Sequence, residues 1–317
     1  MSMETRIPLP VIVGPTASGK TDLAVQLAKQ MNGEVVSADS MQIYQILQVG
    51  TARPTEEEMD GIPHHLMGFL PLNEAYSVAQ YVEHAGAVIR EIRSRRKQPI
   101  LCGGTGLYVQ SLIENIDFSV EAVSDPAYRE ELRFLAEEQG GQALWEHLNQ
   151  VDPETAARLH PNDHGRLIRA LELYHTSGMT MSEHNRRSRQ NPSPYEPCVI
   201  LLDFKERARL YERIDRRVEM MLQNGLLEEA RLLLNTPHAP TAMQAIGYKE
   251  LAPYFNGEIS LKESVERIQQ GTRRYAKRQL SWFRRMNVHT LYREDYADDT
   301  QSLAAAAFSQ IQNTLSL

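Results

Sequence analysis

Gly14-Pro15-Thr16-Ala17-Ser18-Gly19-Lys20-Thr21 fits the pattern G-x-x-x-x-G-K-[ST]. Such a loop aims successive backbone N–H groups and a helix N-terminus at one spot, and the Lys20 ammonium adds charge, so the spot suits a chain of phosphates. Thr21 then offers its hydroxyl to a Mg²⁺ ion bridging phosphate oxygens. Two other stretches supply chemistry. Asp39 follows the strand-like run Glu34-Val35-Val36-Ser37-Ala38, and Gly103-Gly104-Thr105-Gly106 follows Pro99-Ile100-Leu101-Cys102. A carboxylate beside bound phosphates serves as a general base if an acceptor sits next to it; otherwise it holds a metal-bound water or caps a helix. Glycines after a strand let backbone approach a ligand, or simply make a tight turn.

These residues need elements that bring them together. Leu9-Pro10-Val11-Ile12-Val13 reads as a strand before the phosphate loop, and Asp22-Leu23-Ala24-Val25-Gln26-Leu27-Ala28 carries apolar residues at helical spacing. Strands alternating with helices predict a mostly parallel α/β sheet flanked by helices, and in such sheets ligands gather at the carboxyl ends of strands. All three segments are therefore expected on one rim. The spacing predicts helices over 76–96, 206–224 and 226–234, a strand over 199–202, and a last strand and helix over 288–292 and 304–311. His64 and His65 lack metal-ligand spacing and read as structural.

Between 117 and 197 strand-like runs give way to repeated helix starts, at Ser124-Asp125-Pro126 and Asp152-Pro153. We read 118–197 as an all-helical insertion domain within a core formed by 1–117 and 198–317. The 317 residues are 42% hydrophobic, enough for a sizeable core, and no apolar run is long enough to span a bilayer. No secretory leader is expected at the start, and two distant cysteines, Cys102 and Cys198, indicate neither a disulfide framework nor a zinc site. The expectation is a cytoplasmic protein, a monomer, without membrane association.

Net charge is -7, which argues against non-specific nucleic-acid binding, but the distribution is uneven. A helix opening at the capping box Ser260-Leu261-Lys262-Glu263 carries Arg267, Arg273, Arg274, Lys277, Arg278, Arg284 and Arg285 with no acid between 267 and 285. Its basic face suits backbone phosphates of a polyanion longer than a nucleotide, whereas Tyr275, Trp282 and Phe283 fit a core stripe or base stacking. A phosphate loop alone first suggests a nucleotide kinase or NTPase. No hydrophobic strand ending in a second, metal-binding acid stands out downstream.

The string 14–21, Ser37-Ala38-Asp39-Ser40-Met41-Gln42-Ile43-Tyr44, Gly50-Thr51-Ala52-Arg53-Pro54, Gly103-Gly104-Thr105-Gly106-Leu107-Tyr108, His160-Pro161-Asn162-Asp163, Arg166-Leu167-Ile168-Arg169-Ala170-Leu171-Glu172 and Ala276-Lys277-Arg278-Gln279 together resemble, in order, the motifs of the tRNA dimethylallyltransferases, also called tRNA isopentenyltransferases. The resemblance covers essentially the whole chain. It implies a P-loop NTPase-like fold and transfer of a dimethylallyl group from dimethylallyl diphosphate to N6 of the adenosine 3′ of the anticodon, in tRNAs reading codons that begin with U. The partners it implies are dimethylallyl diphosphate and the tRNA anticodon stem-loop.

By resemblance, Gly14, Pro15, Thr16, Ala17, Ser18, Gly19, Lys20 and Thr21 hold the leaving diphosphate, with Mg²⁺ at Thr21. Asp39, Arg217 and Thr105 form the catalytic set: Asp39 as base, Arg217 neutralising charge on the departing oxygen, with Arg213 a rival for that role. Asp39, Ser40, Met41, Gln42, Thr105, Arg166, Arg169, Gln244, Gly247, Lys249, Lys277, Arg278, Gln279 and Trp282 are the residues expected at tRNA, Ser40 to Gln42 around the everted base and Arg166 and Arg169 with the helical insertion. A transferase acting on free adenosine nucleotides would need neither the insertion nor the basic helix. A nucleotide kinase or an NTP-driven RNA-binding switch would consume ATP.

Overall fold

The computed structural model describes residues 6–118 and 124–315. The chain divides into two compact units, Met1–Ile113 with Ser193–Leu317, and Glu114–Pro192.

In the first unit, short runs, those of the central strands buried on both faces, form a six-stranded sheet. Its strands are β1 (Ile7–Val13), β2 (Gly33–Ser37), β3 (His64–His65), β4 (Gln98–Gly103), β5 (Tyr195–Asp203) and β6 (His289–Tyr292), in the order β3-β2-β4-β1-β5-β6. Every pairing in this sheet is parallel. Parallel neighbours need crossovers, so helices cover both faces. The alternation decides which residues go where. Leu9, Val11 and Val13 of β1 with Val199 and Leu201 of β5 face one core, while Ile12, Cys198, Ile200 and Leu202 face the other.

Helices α1 (Lys20–Gln30) and, near the C-terminus, Thr300–Thr314 close the second core; Val78–Ser94, Gly106–Ile113, Arg207–Gln223 and Leu261–Phe283 close the first. Each fully buried Leu, Ile or Val there contributes roughly 1.5–3 kcal/mol relative to exposure, so this alternation is what seats the helices. Helix Val78–Ser94 is shorter at both ends than the 76–96 span, because Ser77 caps it through Gln80 and the chain turns at Arg96 with φ 59°. Helix Leu226–Leu234 coincides with its expected span, and Leu261–Phe283 begins after Ser260, whose hydroxyl accepts from the Glu263 N–H. The last strand is four residues, His289–Tyr292, and the last helix is longer than 304–311 because Asp299 caps it at Thr300.

The second unit is helical among its described residues. It contains helices Pro126–Gln139, Gly141–Val151, Pro153–Ala156, His164–Ser177 and Met181–Arg187, around a core of Leu132, Leu144, Leu148, Leu167 and Leu171. Asp125 and Asp152 cap the helices that begin with proline. The sequence reading set this region's limits at 118 and 197; its compact part ends earlier, at Pro192, because Tyr195–Asp203 is already strand β5. Residues 119–123 of the expected insertion lie outside the described residues.

Candidate functional site

The phosphate loop joins β1 to α1. Left-handed backbone at Ala17 (φ 63°) and Gly19 (φ 86°) bends it into a nest whose N–H groups converge. Lys20 folds back over the loop, its Nζ donating to the Pro15 carbonyl at 2.8 Å. Burial pulls its ammonium down to about 8, with Cys102, Arg217 and Asp39 contributing less, Asp39 in the direction that favours charge. From outside, Arg213 donates through Nε to the Ala17 carbonyl at 2.9 Å and buried Arg293 donates to the Ser18 carbonyl at 3.2 Å. Neither the second contact nor Arg293 itself was signalled by any motif.

Asp39 follows β2 on the same rim. Its Oδ1 accepts the Met41 N–H at 2.9 Å and the Gln42 N–H at 3.4 Å, which turns the chain and holds the carboxylate in one orientation. The Gly103–Gly106 turn closes against it: the Thr105 N–H donates to the Ala38 carbonyl at 3.0 Å, and Thr105 Oγ1 accepts the Ser40 N–H at 3.0 Å. Asp39, Ser40 and Thr105 are thus brought together beside the loop. Gln42 is committed within the protein, its amide donating to the Thr51 and Ala52 carbonyls at 3.3 and 3.1 Å.

Arg217 comes from helix Arg207–Gln223 and donates to the Ala52 carbonyl at 3.5 Å. Burial lowers its pKa while Glu58, Asp39 and Asp22 oppose this, and it lies close enough to Lys20 to pull that ammonium's pKa down. Arg213 touches the phosphate loop directly and Arg217 does not, yet Arg217 is the one sharing a field with Asp39.

Helix Leu261–Phe283 splits the residues expected at RNA. Lys277 and Arg278 are exposed. Gln279, expected on that same face, is buried: its Oε1 accepts the Thr16 N–H and its Nε2 donates to the Gly104 carbonyl, each at 2.9 Å. One residue of helical advance, about 100°, turns it from solvent to the core. Tyr275, one turn earlier, borders the same place. Burial raises its hydroxyl's pKa, Asp39 adds to that, and Thr105 and Gln279 oppose it through hydrogen bonding. Trp282 is half-buried and packs on Gly106 so closely that a Cβ there would lie 2.4 Å from its ring. Gln244 and Lys249 are exposed near this helix in sequence, whereas Gly247 is buried with its N–H on Glu250 at 2.9 Å.

In the helical unit, Arg166 and Arg169 are exposed on His164–Ser177. Arg169 is tethered to Glu172 at 3.0 Å, a fully buried acid that also holds Arg129.

Sequence reasoning missed a strand-end acid. Val199-Ile200-Leu201-Leu202 does end in one, Asp203, which is fully buried at the tip of β5. Burial alone would raise its pKa, but Arg207 at 2.7 Å, the Phe204 N–H at 2.7 Å and Arg284 at 2.8 Å outweigh this and hold it below the usual carboxylate range. It was also silent on Glu229, whose carboxylate takes the N–H groups of Gln48, Val49 and Gly50 at 2.8, 2.9 and 2.8 Å and the Tyr248 hydroxyl at 2.7 Å. That clamp fixes the 48–52 loop whose carbonyls meet Gln42 and Arg217. Away from the rim, His65 pairs with buried Glu34 at 2.7 Å.

Among the described residues no three His, Cys, Asp or Glu side chains gather as metal ligands. What the loop does hold is the Ser18 hydroxyl, fully buried without a hydrogen-bond partner, and a half-buried Thr21 in the first turn of α1. Hydroxyls beside an anion cradle fit a Mg²⁺ ion held mainly by phosphate and water, which needs only one or two protein oxygens.

With this geometry in view, the profile of the IPP transferase family matches residues 42–286. The chain belongs to that family. A tRNA dimethylallyltransferase of Caldanaerobacter subterraneus subsp. tengcongensis is 49% identical over 295 residues, 92% of this chain and 93% of the relative. One from Bacillus subtilis is 47% identical over 88% of each chain. Among solved structures, the full-length tRNA isopentenylpyrophosphate transferase of Bacillus halodurans superposes with a TM-score of 0.70 at 40% identity, covering 96% of this chain and 97% of that one. A eukaryotic dimethylallyltransferase acting on tRNA gives 0.80 at 30% identity, covering 97% and 80%. As an IPP transferase, the chain carries its P-loop-like α/β sheet as the family's scaffold.

Proposed function

We propose that this rim transfers a dimethylallyl group from dimethylallyl diphosphate to N6 of the adenosine 3′ of the anticodon, in tRNAs reading U-initial codons. The chain is a prenyltransferase, and its acceptor is tRNA. The observation that carries the finer reading is the pairing of an anion nest with a carboxylate, Asp39, that neighbouring cations do not lock. A phosphoryl-transfer reading would want a strand-end acid for the nucleotide's metal; Asp203, the acid at the tip of β5, is taken by Arg207 and Arg284.

In this mechanism the N6 lone pair forms a bond to the allylic carbon as its bond to oxygen breaks, and the electron pair leaves with the diphosphate. Adenine's amine is a weak nucleophile, because its lone pair is delocalised into the ring. Asp39, oriented by the Met41 and Gln42 N–H groups, accepts a hydrogen bond from it and takes the proton as the new bond forms. The nest, Lys20 and Arg217 stabilise charge on the departing oxygens. Bound at Thr21, Mg²⁺ would supply further neutralisation of that leaving group. Everting the base costs a few kcal/mol, least in a flexible loop such as the anticodon. Ser40, Met41 and Thr105 surround the base, with Gln42 holding the 51–52 carbonyls behind them, while Lys277, Arg278 and Lys249 neutralise backbone phosphates and Gln244 offers them amide hydrogen bonds; Arg166 and Arg169 neutralise phosphates on the helical unit. The same reading places the enzyme in the cytoplasm as a monomer; no described helix is long and apolar enough to cross a membrane.

Mass spectrometry of nucleosides from tRNA incubated with the protein and dimethylallyl diphosphate, without ATP, is expected to show a five-carbon addition on adenosine 3′ of the anticodon. Modification at another position, or a requirement for stoichiometric ATP, would end this reading.

A further inference from the structure

We propose that Gln279 is the spacer that sets the distance between the phosphate nest and the acceptor-side turn, and that it restricts the nest to two phosphates. The inference rests on the prenyltransferase reading of this site. Its geometry is two-ended. Oε1 accepts the Thr16 N–H at 2.9 Å, and Nε2 donates to the Gly104 carbonyl at 2.9 Å, in a side chain only 5% exposed. Because one end must accept and the other donate, the amide's orientation is fixed, and neither a carboxylate nor an ammonium could satisfy both partners.

The spacer has a rigid mount. Helix Leu261–Phe283 is anchored in the first core by Ala276, Leu280 and Phe283, which flank Gln279. On the other side, Gly104 has no room for a side chain: a Cβ there would lie 2.3 Å from Gln279 Nε2 and 3.9 Å from Asp39 Oδ2. The strut therefore ends beside the carboxylate assigned as base. Gly104 precedes Thr105, which hydrogen-bonds Ala38 and Ser40 on both sides of Asp39, so any shift of Gly104 carries the acceptor side with it.

The second role follows from what Thr16 has given up. A nest amide already bonded to a neutral carbonyl oxygen is lost to phosphate, and a phosphoryl group reaching that end would press its anionic oxygens against Oε1. Diphosphate fits the remaining donors, the N–H groups of Ala17, Gly19, Lys20 and Thr21, since Ser18 N–H is turned onto the Pro15 carbonyl at 3.3 Å; a third phosphate meets an acceptor where it needs a donor.

Binding of inorganic diphosphate and inorganic tripolyphosphate, with Mg²⁺ and by calorimetry, tests both roles alongside steady-state turnover. The unaltered protein is expected to prefer diphosphate by about tenfold or more, the scale of one misplaced charged contact. Gln279→Ala is expected to narrow that preference to within a few-fold by gaining tripolyphosphate affinity, and to lower kcat by about 10- to 100-fold with KM for dimethylallyl diphosphate little changed, as a slackened reaction distance does. Gln279→Leu keeps the bulk and loses both bonds, so kcat falls similarly; it covers the case in which the alanine variant does not fold. A folded variant of either kind with unaltered kcat overturns the spacer, and an unchanged phosphate preference in Gln279→Ala overturns the length restriction. An unaltered protein that binds no diphosphate at all would instead count against the prenyltransferase reading.

Discussion

Two aspartates end or follow parallel strands on the same edge of the sheet, Asp39 after β2 and Asp203 on β5, and their fates differ. Asp203 is fully buried and held by two arginines and a backbone N–H; Asp39 is half-buried, its Oδ1 tied only to backbone amides two and three residues ahead. Position on the rim makes an acid available for chemistry, and neighbours decide whether it stays so. Arginines close enough to chelate a carboxylate fix its charge and remove its basicity; a cation at longer range, as Arg217 is to Asp39, shapes the field without capturing the group.

The comparison breaks most readily at Asp39. Asp39→Asn keeps the turn-capping oxygen and removes the base, so the single-turnover rate is expected to fall by about two to four orders of magnitude with tRNA binding nearly intact. Asp203→Asn, in the same assay, should change the rate far less. Loss of binding and rate together at Asp39 would make it a structural acid like its counterpart.

The arginines come next. Arg217→Gln is expected to lower kcat by about 100- to 1,000-fold, the loss typical of one group stabilising a leaving oxyanion, and Arg213→Gln by clearly less, since its Nε is committed to the Ala17 carbonyl. The reverse ranking would give Arg213 the leaving-group role. On the exposed face of the same site, neutralising Lys277 and Arg278 together should flatten the salt dependence of tRNA binding by about two phosphate contacts.

Asp203 is expected to answer in stability. Asp203→Asn should cost about 1–3 kcal/mol in denaturant unfolding, because the Arg207 and Arg284 guanidiniums lose the negative charge and the second acceptor oxygen they share, and meet an NH2 donor in its place. Its pH dependence has a definite sign. The folded pKa lies below the unfolded value, so the stabilisation is complete above the unfolded pKa of about 3.9 and is lost as pH falls through the folded value. Below about pH 4 the unaltered protein should therefore lose stability more steeply than Asp203→Asn. Parallel acid limbs would mean that the arginines leave Asp203 no more acidic than in the unfolded chain.

Much of this was legible in the residues themselves. The phosphate loop, the strands before it and before Asp39 and Gly103, and the capped helix at Ser260 are all local: their signals are periodicity, capping and glycine placement within a few residues. Asp203 was passed over because a hydrophobic run ending in an acid looks the same whether or not arginines four and 81 residues later reach it. Gln279 was placed with its exposed neighbours because three consecutive polar residues, Lys277, Arg278 and Gln279, do not reveal which one turns inward. Glu229 lies in no motif, and the amides it clamps are about 180 residues earlier.

Sequence alone determined a P-loop at residues 14–21 and a carboxylate on the same sheet edge, since both depend on short-range pattern and on the way parallel strands order their carboxyl ends. Tertiary structure decided which carboxylate the arginines capture, which arginine shares the field of the other and which amide of the nest is already occupied. Those outcomes depend on side chains that meet only after folding, where burial strengthens each charge and each hydrogen bond and partners are chosen by distance in space.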